Sequence, residues 1–143
     1  MRILITSGFK EAKFVRENFP NHYVYTSYDE CEDADVLIGF SSQVTNQLLD
    51  KLPSLKWFQT LSSGYNTMDL EYLKRRGIQF SNGRGLHGIA ISEDIITKML
   101  VLNRHTNYYM ENQKKSTWKP HHEMEIELSG ATAGILGAGV IAT

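Results

Sequence analysis

The last ten residues, Gly134-Ile-Leu-Gly-Ala-Gly-Val-Ile-Ala-Thr143, set a short apolar run directly before Gly137-x-Gly139-x-x-Ala142. That spacing suits a dinucleotide pyrophosphate. The first glycine permits a tight turn, the second lets the backbone approach the phosphates, and the small Ala142 allows close helix packing. The helix whose amino terminus would complete the cradle does not follow within the sequence, nor does the acidic residue expected about 20 positions later to bind a ribose.

Two further stretches could recognise an anion. In Ser62-Ser63-Gly64-Tyr65-Asn66, adjacent backbone N–H groups around a glycine can form a concavity suited to a carboxylate. The same residues also read as a plain strand-to-helix turn, with Asn66, Thr67 or Asp69 capping the next helix. Asn82-Gly-Arg-Gly-Leu-His-Gly88 reads as a hinge from which Arg84 or His87 reaches a ligand. It reads equally as a turn whose glycines supply positive φ while Arg84 stays solvated.

Other reactive side chains carry less. His121-His122-Glu123 lacks a third spaced ligand, so no metal site is expected. Cys31 sits among Glu30, Glu32 and Asp33, which disfavour a thiolate. Glu93 suits the first turn of a helix, and Lys74-Arg75-Arg76 suits a last turn, where each complements the helix dipole.

The elements that position these groups follow from hydrophobic pattern. Strands are expected at Arg2–Thr6, His22–Thr26, Asp35–Phe40, Leu55–Leu61 and Ile78–Ser81. Helices are expected at Phe9–Phe19, after a cap at Ser42 or Thr45, and at Asp69–Arg76, with Pro20 and Pro53 as stops. Strands alternating with helices through short connections argue for an α/β fold: a five-stranded parallel sheet with helices on both faces. Ligands of such sheets bind beyond the carboxyl ends of the strands, where the small and glycine-rich turns fall. From Gly88 a longer helical pattern runs to His105. Its apolar positions cover more than one stripe, which calls for two packing partners. Residues 107–120 are polar with Tyr108, Tyr109 and Trp118; Glu123–Leu128 alternates like an edge strand or an extended linker; Ala133–Leu136 reads as a last strand.

Size and charge narrow the class. A chain of 143 residues, 41% hydrophobic, buries roughly two thirds of its unfolded surface, enough for one ordinary core. The formal net charge of −1 from well-mixed charges offers no field for nucleic acid or an acidic membrane. No apolar run approaches the roughly 20 residues that span a bilayer, and no signal peptide is recognisable. A cytoplasmic setting is expected.

The stretch from Leu55 to Arg104, with its hinge Asn82-x-Arg-Gly-x-His-Gly88, then Gln113, Trp118 and Glu127 to Ala142, resembles the D-isomer-specific 2-hydroxyacid dehydrogenases. The resemblance implies a two-domain oxidoreductase interconverting a small D-2-hydroxy acid and its 2-oxo acid with NAD or NADP. It implies a flavodoxin-like substrate domain over residues 1–86, a hinge and crossover helix region over 87–120, and the start of a Rossmann domain over 121–143. It implies that Ser63, Gly64 and Tyr65 give backbone N–H groups to the substrate carboxylate, that Gly137, Gly139 and Ala142 belong to the cofactor turn, and that the 89–105 helix forms a homodimer. The family's catalytic arginine, glutamate and histidine fall beyond residue 143, and none of Arg84, Arg104, His87 or His105 takes their place. The chain is therefore expected to be inactive alone and to bind cofactor poorly, with its tail after about Trp118 mobile or paired with a neighbouring copy. The alternative reading is a stand-alone flavodoxin-like binding or regulatory module that dimerises with full-length subunits. Thr6-Ser7-Gly8 would be its only phosphate loop.

Overall fold

A computed structural model of the chain describes residues 1–6, 8–121, 125–137, 139, 141 and 142. It divides into two compact units, Met1–Arg84 and Gly85–Thr143. The first contains β1 (Arg2–Ile5), α1 (Phe9–Asn18), β2 (Tyr23–Tyr25), β3 (Val36–Gly39), a 3-10 turn (Ser41–Gln43), α2 (Asn46–Asp50), β4 (Trp57–Thr60), α3 (Leu70–Arg75) and β5 (Gln79–Ser81). The second contains α4 (Gly88–Asn103) and α5 (Thr106–Lys114).

The five strands are parallel in the order β2-β1-β3-β4-β5. Their register sets Tyr25, Leu4, Leu37, Phe58 and Phe80 in one row across the sheet. Leu4, Leu37 and Phe58 are wholly buried there, under Leu49 of α2 and Leu73 of α3. On the opposite face Ile3, Ile5 and Val36 meet Ala12 and Val15 of α1. Burial on both faces explains why β1 and β3 read as nearly continuous apolar runs rather than alternating ones.

Local chemistry sets the ends of the elements. Proline at position 20 disfavours helical backbone in Phe19, whose φ of −132° ends α1. Thr45, not Ser42, caps α2 by accepting the Leu48 amide at 3.3 Å, and Asp69 caps α3 by accepting that of Tyr72 at 2.9 Å. Gly77 adopts a left-handed φ of 66° after α3, and the Ile78 amide then reaches back to the Leu73 carbonyl at 2.9 Å.

A tether closes the amino-terminal edge of the sheet. The Arg2 amide donates to Asp35 at 2.8 Å while its guanidinium pairs with Asp33 at 3.0 Å and Asp35 at 3.2 Å. Asp33 also accepts the Ala34 and Ser54 amides.

The second unit departs from the sequence pattern in four places. The helical run ends at Asn103, and His105, with a left-handed φ of 48°, separates it from α5. The polar α5 was not expected, because its sequence TNYYMENQK has no apolar stripe. Residues 133–136 form no ladder, since a strand exists only through pairing and no second strand occurs among the described residues of this unit. Of the Glu123–Leu128 stretch, Glu123 and Met124 lie outside the described residues. Glu125 and Ile126 are not a strand. The Glu125 carboxylate pairs with Arg104 at 2.7 Å and accepts the Tyr109 hydroxyl at 2.8 Å, and the Ile126 amide donates to the Asn103 carbonyl at 2.9 Å. At these residues the tail contacts its own helices. No residue of α4 is buried, and Ile89, Ile96, Leu100 and Leu102 are exposed.

Candidate anion site at the carboxyl ends of the strands

Three consecutive backbone N–H groups, of Ser63, Gly64 and Tyr65, follow β4 and have no partner among the described residues. Their orientation follows from the carbonyls that share their peptide planes. The Ser62 carbonyl accepts the Gly83 amide at 3.0 Å. The Ser63 carbonyl accepts the Asn82 side-chain amide at 2.8 Å. The Gly64 carbonyl accepts the hydroxyls of Ser62 at 3.0 Å and Ser41 at 3.2 Å. In a trans peptide the N–H points opposite to the C=O, and no cis bond occurs among the described residues. Each free N–H is thus directed away from the group that holds its carbonyl.

Exposed, consecutive backbone N–H groups without partners are the kind of donor set that can bind an anion without a charged side chain. Arg84, two residues after Asn82, is exposed and has no carboxylate partner among the described residues. His87 belongs to the second unit, where it precedes α4 and makes no side-chain cap.

The sequence singled out Ser63, Gly64 and Tyr65 but not the side chains that hold them. Ser41 and Thr60 are buried at 5% and 0% exposure, at the carboxyl ends of β3 and β4. The Ser41 amide donates to Thr60 Oγ1 at 3.0 Å, the Thr60 and Ser62 hydroxyls meet at 2.8 Å, and those of Ser41 and Ser62 at 2.9 Å. Asn82 had been read only as part of a hinge. The signal available was small hydroxylated residues ending adjacent strands, which becomes specific only once the strand order is known.

Other candidates fall away. Thr6 turns its hydroxyl inward against Gly39, where a Cβ would come within 2.2 Å of Oγ1; it does not face outward as a phosphate ligand, and Ser7 lies outside the described residues. Burial pushes the Cys31 thiol and the Tyr28 hydroxyl above their usual pKa ranges, which keeps both protonated. His121 packs edge-on against the Tyr108 ring with centroids 5.6 Å apart, while His122 and Glu123 lie outside the described residues. No metal-binding group occurs among the described residues, and no described helix is long and apolar enough to cross a membrane. A concavity of about 530 Å³ in the second unit, beside Tyr109, Gln113 and Trp118, contains no carboxylate or histidine.

At the glycine turn Gly137 has a φ of 93°, the conformation that favours glycine, and the Ala142 amide donates to the Gly139 carbonyl at 2.9 Å. Ala138 and Val140 lie outside the described residues. No helix begins among the described residues that follow.

The chain is 35% identical over 112 residues to erythronate-4-phosphate dehydrogenase of Shewanella sp. (strain MR-4), covering 78% of this chain and 25% of that protein. It is 29% identical over 114 residues to D-3-phosphoglycerate dehydrogenase of Methanocaldococcus jannaschii, covering 79% and 22%. It therefore spans about a quarter of the length of these curated relatives. The D-lactate dehydrogenase of Aquifex aeolicus, solved with NAD and lactic acid, superposes with a TM-score of 0.82 at 22% identity, over 99% of this chain and 46% of that one. The family model for the D-isomer specific 2-hydroxyacid dehydrogenase catalytic domain matches residues 10–128. A parallel sheet of this order, donor-rich at the end of β4, is thus matched by sequence over most of its length, and the chain belongs to the D-isomer specific 2-hydroxyacid dehydrogenase family.

Proposed function

We propose that this chain supplies the carboxylate-binding part of an NAD- or NADP-dependent oxidoreductase that interconverts a small D-2-hydroxy acid and its 2-oxo acid. One observation carries the reading: the free amides of Ser63, Gly64 and Tyr65, each opposed to a held carbonyl. They would bind the C1 carboxylate and so orient C2 for the transfer. A nicotinamide cofactor, when bound, gives or takes the hydride at C2.

Gly137, Gly139 and Ala142 would form the pyrophosphate turn of such a protein, and the positive φ at Gly137 fits that role. Without a following helix, these residues alone do not make a tight cofactor site. The 143 residues are accordingly expected to bind 2-oxo and 2-hydroxy acids weakly and to show no turnover. Among the described residues no histidine or carboxylate hydrogen-bonds to Ser62, Ser63, Gly64 or Asn82, so the amides orient an acid without themselves supplying a proton-transfer group.

The test is a titration of the isotope-labelled chain with oxalate, a two-carbon dicarboxylate. The Ser63, Gly64 and Tyr65 amide resonances should shift together and saturate. An equal response spread over unrelated surface amides would refute the reading. The exposed Ile89, Ile96, Leu100 and Leu102 of α4 support a subunit interface on the 89–105 helix. Light scattering at rising concentration should show dimer, and Leu102→Glu should reduce it.

A further inference from the structure

The hydroxyls behind the amides have a direction. Thr60 Oγ1 accepts two N–H bonds, from Ser41 at 3.0 Å and Ser62 at 3.3 Å. An sp³ hydroxyl oxygen has two lone pairs and one proton. With both lone pairs engaged, Thr60 can only donate in its 2.8 Å contact with Ser62. Ser62 Oγ is then an acceptor of Thr60, and the protons of Ser41 and Ser62 are left for two remaining sites, their mutual 2.9 Å contact and the Gly64 carbonyl. Either way of placing them ends with a hydroxyl proton on Gly64 O. The relay runs one way, from the Ser41 and Ser62 amides through Thr60 to the Gly64–Tyr65 peptide.

We propose that Ser41, Thr60 and Ser62 are positioning residues that aim and polarise the Tyr65 N–H as a donor to the substrate carboxylate. A carbonyl that accepts hydrogen bonds draws electron density from its own amide nitrogen, and hydrogen bonds in series strengthen one another. The burial of Ser41 and Thr60 shields the start of the relay from water, while its last bond, from Ser62 to the Gly64 carbonyl, is exposed. The proposal rests on the carboxylate reading given above. It adds that the strength of the amide site is set by side chains that never touch the ligand.

The experiment uses the labelled chain with Ser41→Ala, Ser62→Ala, the double variant, Ser62→Thr and, as a control, Ser42→Ala, whose exposed hydroxyl is outside the relay. Two readouts are taken: the Gly64 carbonyl ¹³C and Tyr65 amide ¹H shifts without ligand, and the oxalate midpoint. Either alanine alone leaves the other hydroxyl free to donate to Gly64 O, so the single variants should change both readouts little. The double variant removes both hydroxyl donors, and should move both Gly64–Tyr65 shifts upfield and weaken oxalate by about fivefold, the worth of one net hydrogen bond. Ser62→Thr should restore both readouts, and Ser42→Ala should leave them unchanged. A double variant with wild-type oxalate affinity overturns the proposal, whatever its carbonyl shift. If oxalate leaves the three amides of the unmodified chain unmoved, the carboxylate reading falls and the proposal with it. That failure is distinguishable, because it occurs before any substitution. Ser62→Thr keeps the test decisive if an alanine variant does not fold, since failure of this hydroxyl-preserving change to retain wild-type shifts and affinity also counts against the relay.

Discussion

Asn82 reaches from the end of β5 to the Ser63 carbonyl at 2.8 Å, and in return the Ser63 hydroxyl donates to the Gly83 carbonyl at 3.0 Å. The loop after β5 is therefore a clasp on the loop that presents the free amides. Asn82→Ala removes an exposed bond that water can partly replace, so stability should fall by no more than about 0.5–1.5 kcal/mol. The Ser63 carbonyl loses its anchor, so the oxalate midpoint should rise. Chemical denaturation beside the oxalate titration separates the two effects. An unchanged midpoint would show that the clasp does not govern the amides.

Acid should unfold the first unit through its amino-terminal edge. Burial acts to raise the Asp33 pKa, but hydrogen bonds from Ser54 and the Arg2 guanidinium hold it below the ordinary carboxylate value. The Arg2 amide and guanidinium do the same for Asp35. Because both carboxyls are lowered on folding, their contribution is complete above the unfolded pKa of about 3.9 and is lost as pH falls through the folded values. Thermal melts should show a flat Tm near neutrality and a steep decline below about pH 4. Asp35→Asn should lower Tm at pH 7 and flatten the acid decline. An unaltered acid limb in that variant would remove Asp35 from the account.

Gly39 is required by its neighbour across the sheet. A methyl there would meet Thr6 Oγ1 at 2.2 Å, so Gly39→Ala should cost about 1–3 kcal/mol as an overpacked substitution. Thr6→Ala removes the obstructing atom. The double variant should be less destabilised than the sum of the singles, a coupling that a double-mutant cycle measures directly. Strict additivity would mean that the backbone, not Thr6, makes room.

The sheet was legible because β1 and β3 are buried on both faces, β4 alternates with Phe58 and Thr60 inward, and the runs are interrupted by Pro20, Pro53 and glycine turns. Thr45 and Asp69 were among the caps that residue type suggested. What could not be read was whatever depends on strand order. Thr60 and Ser41 are 19 positions apart and become neighbours only through the pairing of Gly39 with Thr60. The helix α5 was hidden for a different reason: its two tyrosines face the segment around His121 and Glu125 rather than forming a stripe. The last expected strand, 133–136, had the composition of a strand but no partner to pair with.

The ion tether of Arg2, Asp33 and Asp35 lies at the amino ends of the strands, opposite the carboxyl end of β4 that the amides of Ser63, Gly64 and Tyr65 follow. That separation has an evolutionary corollary. The turns that follow β3, β4 and β5 can change in length or sequence without disturbing the tether, which joins the amino ends of β1 and β3. Acid tolerance and the chemistry of the turns are therefore set by separate residues and can vary independently.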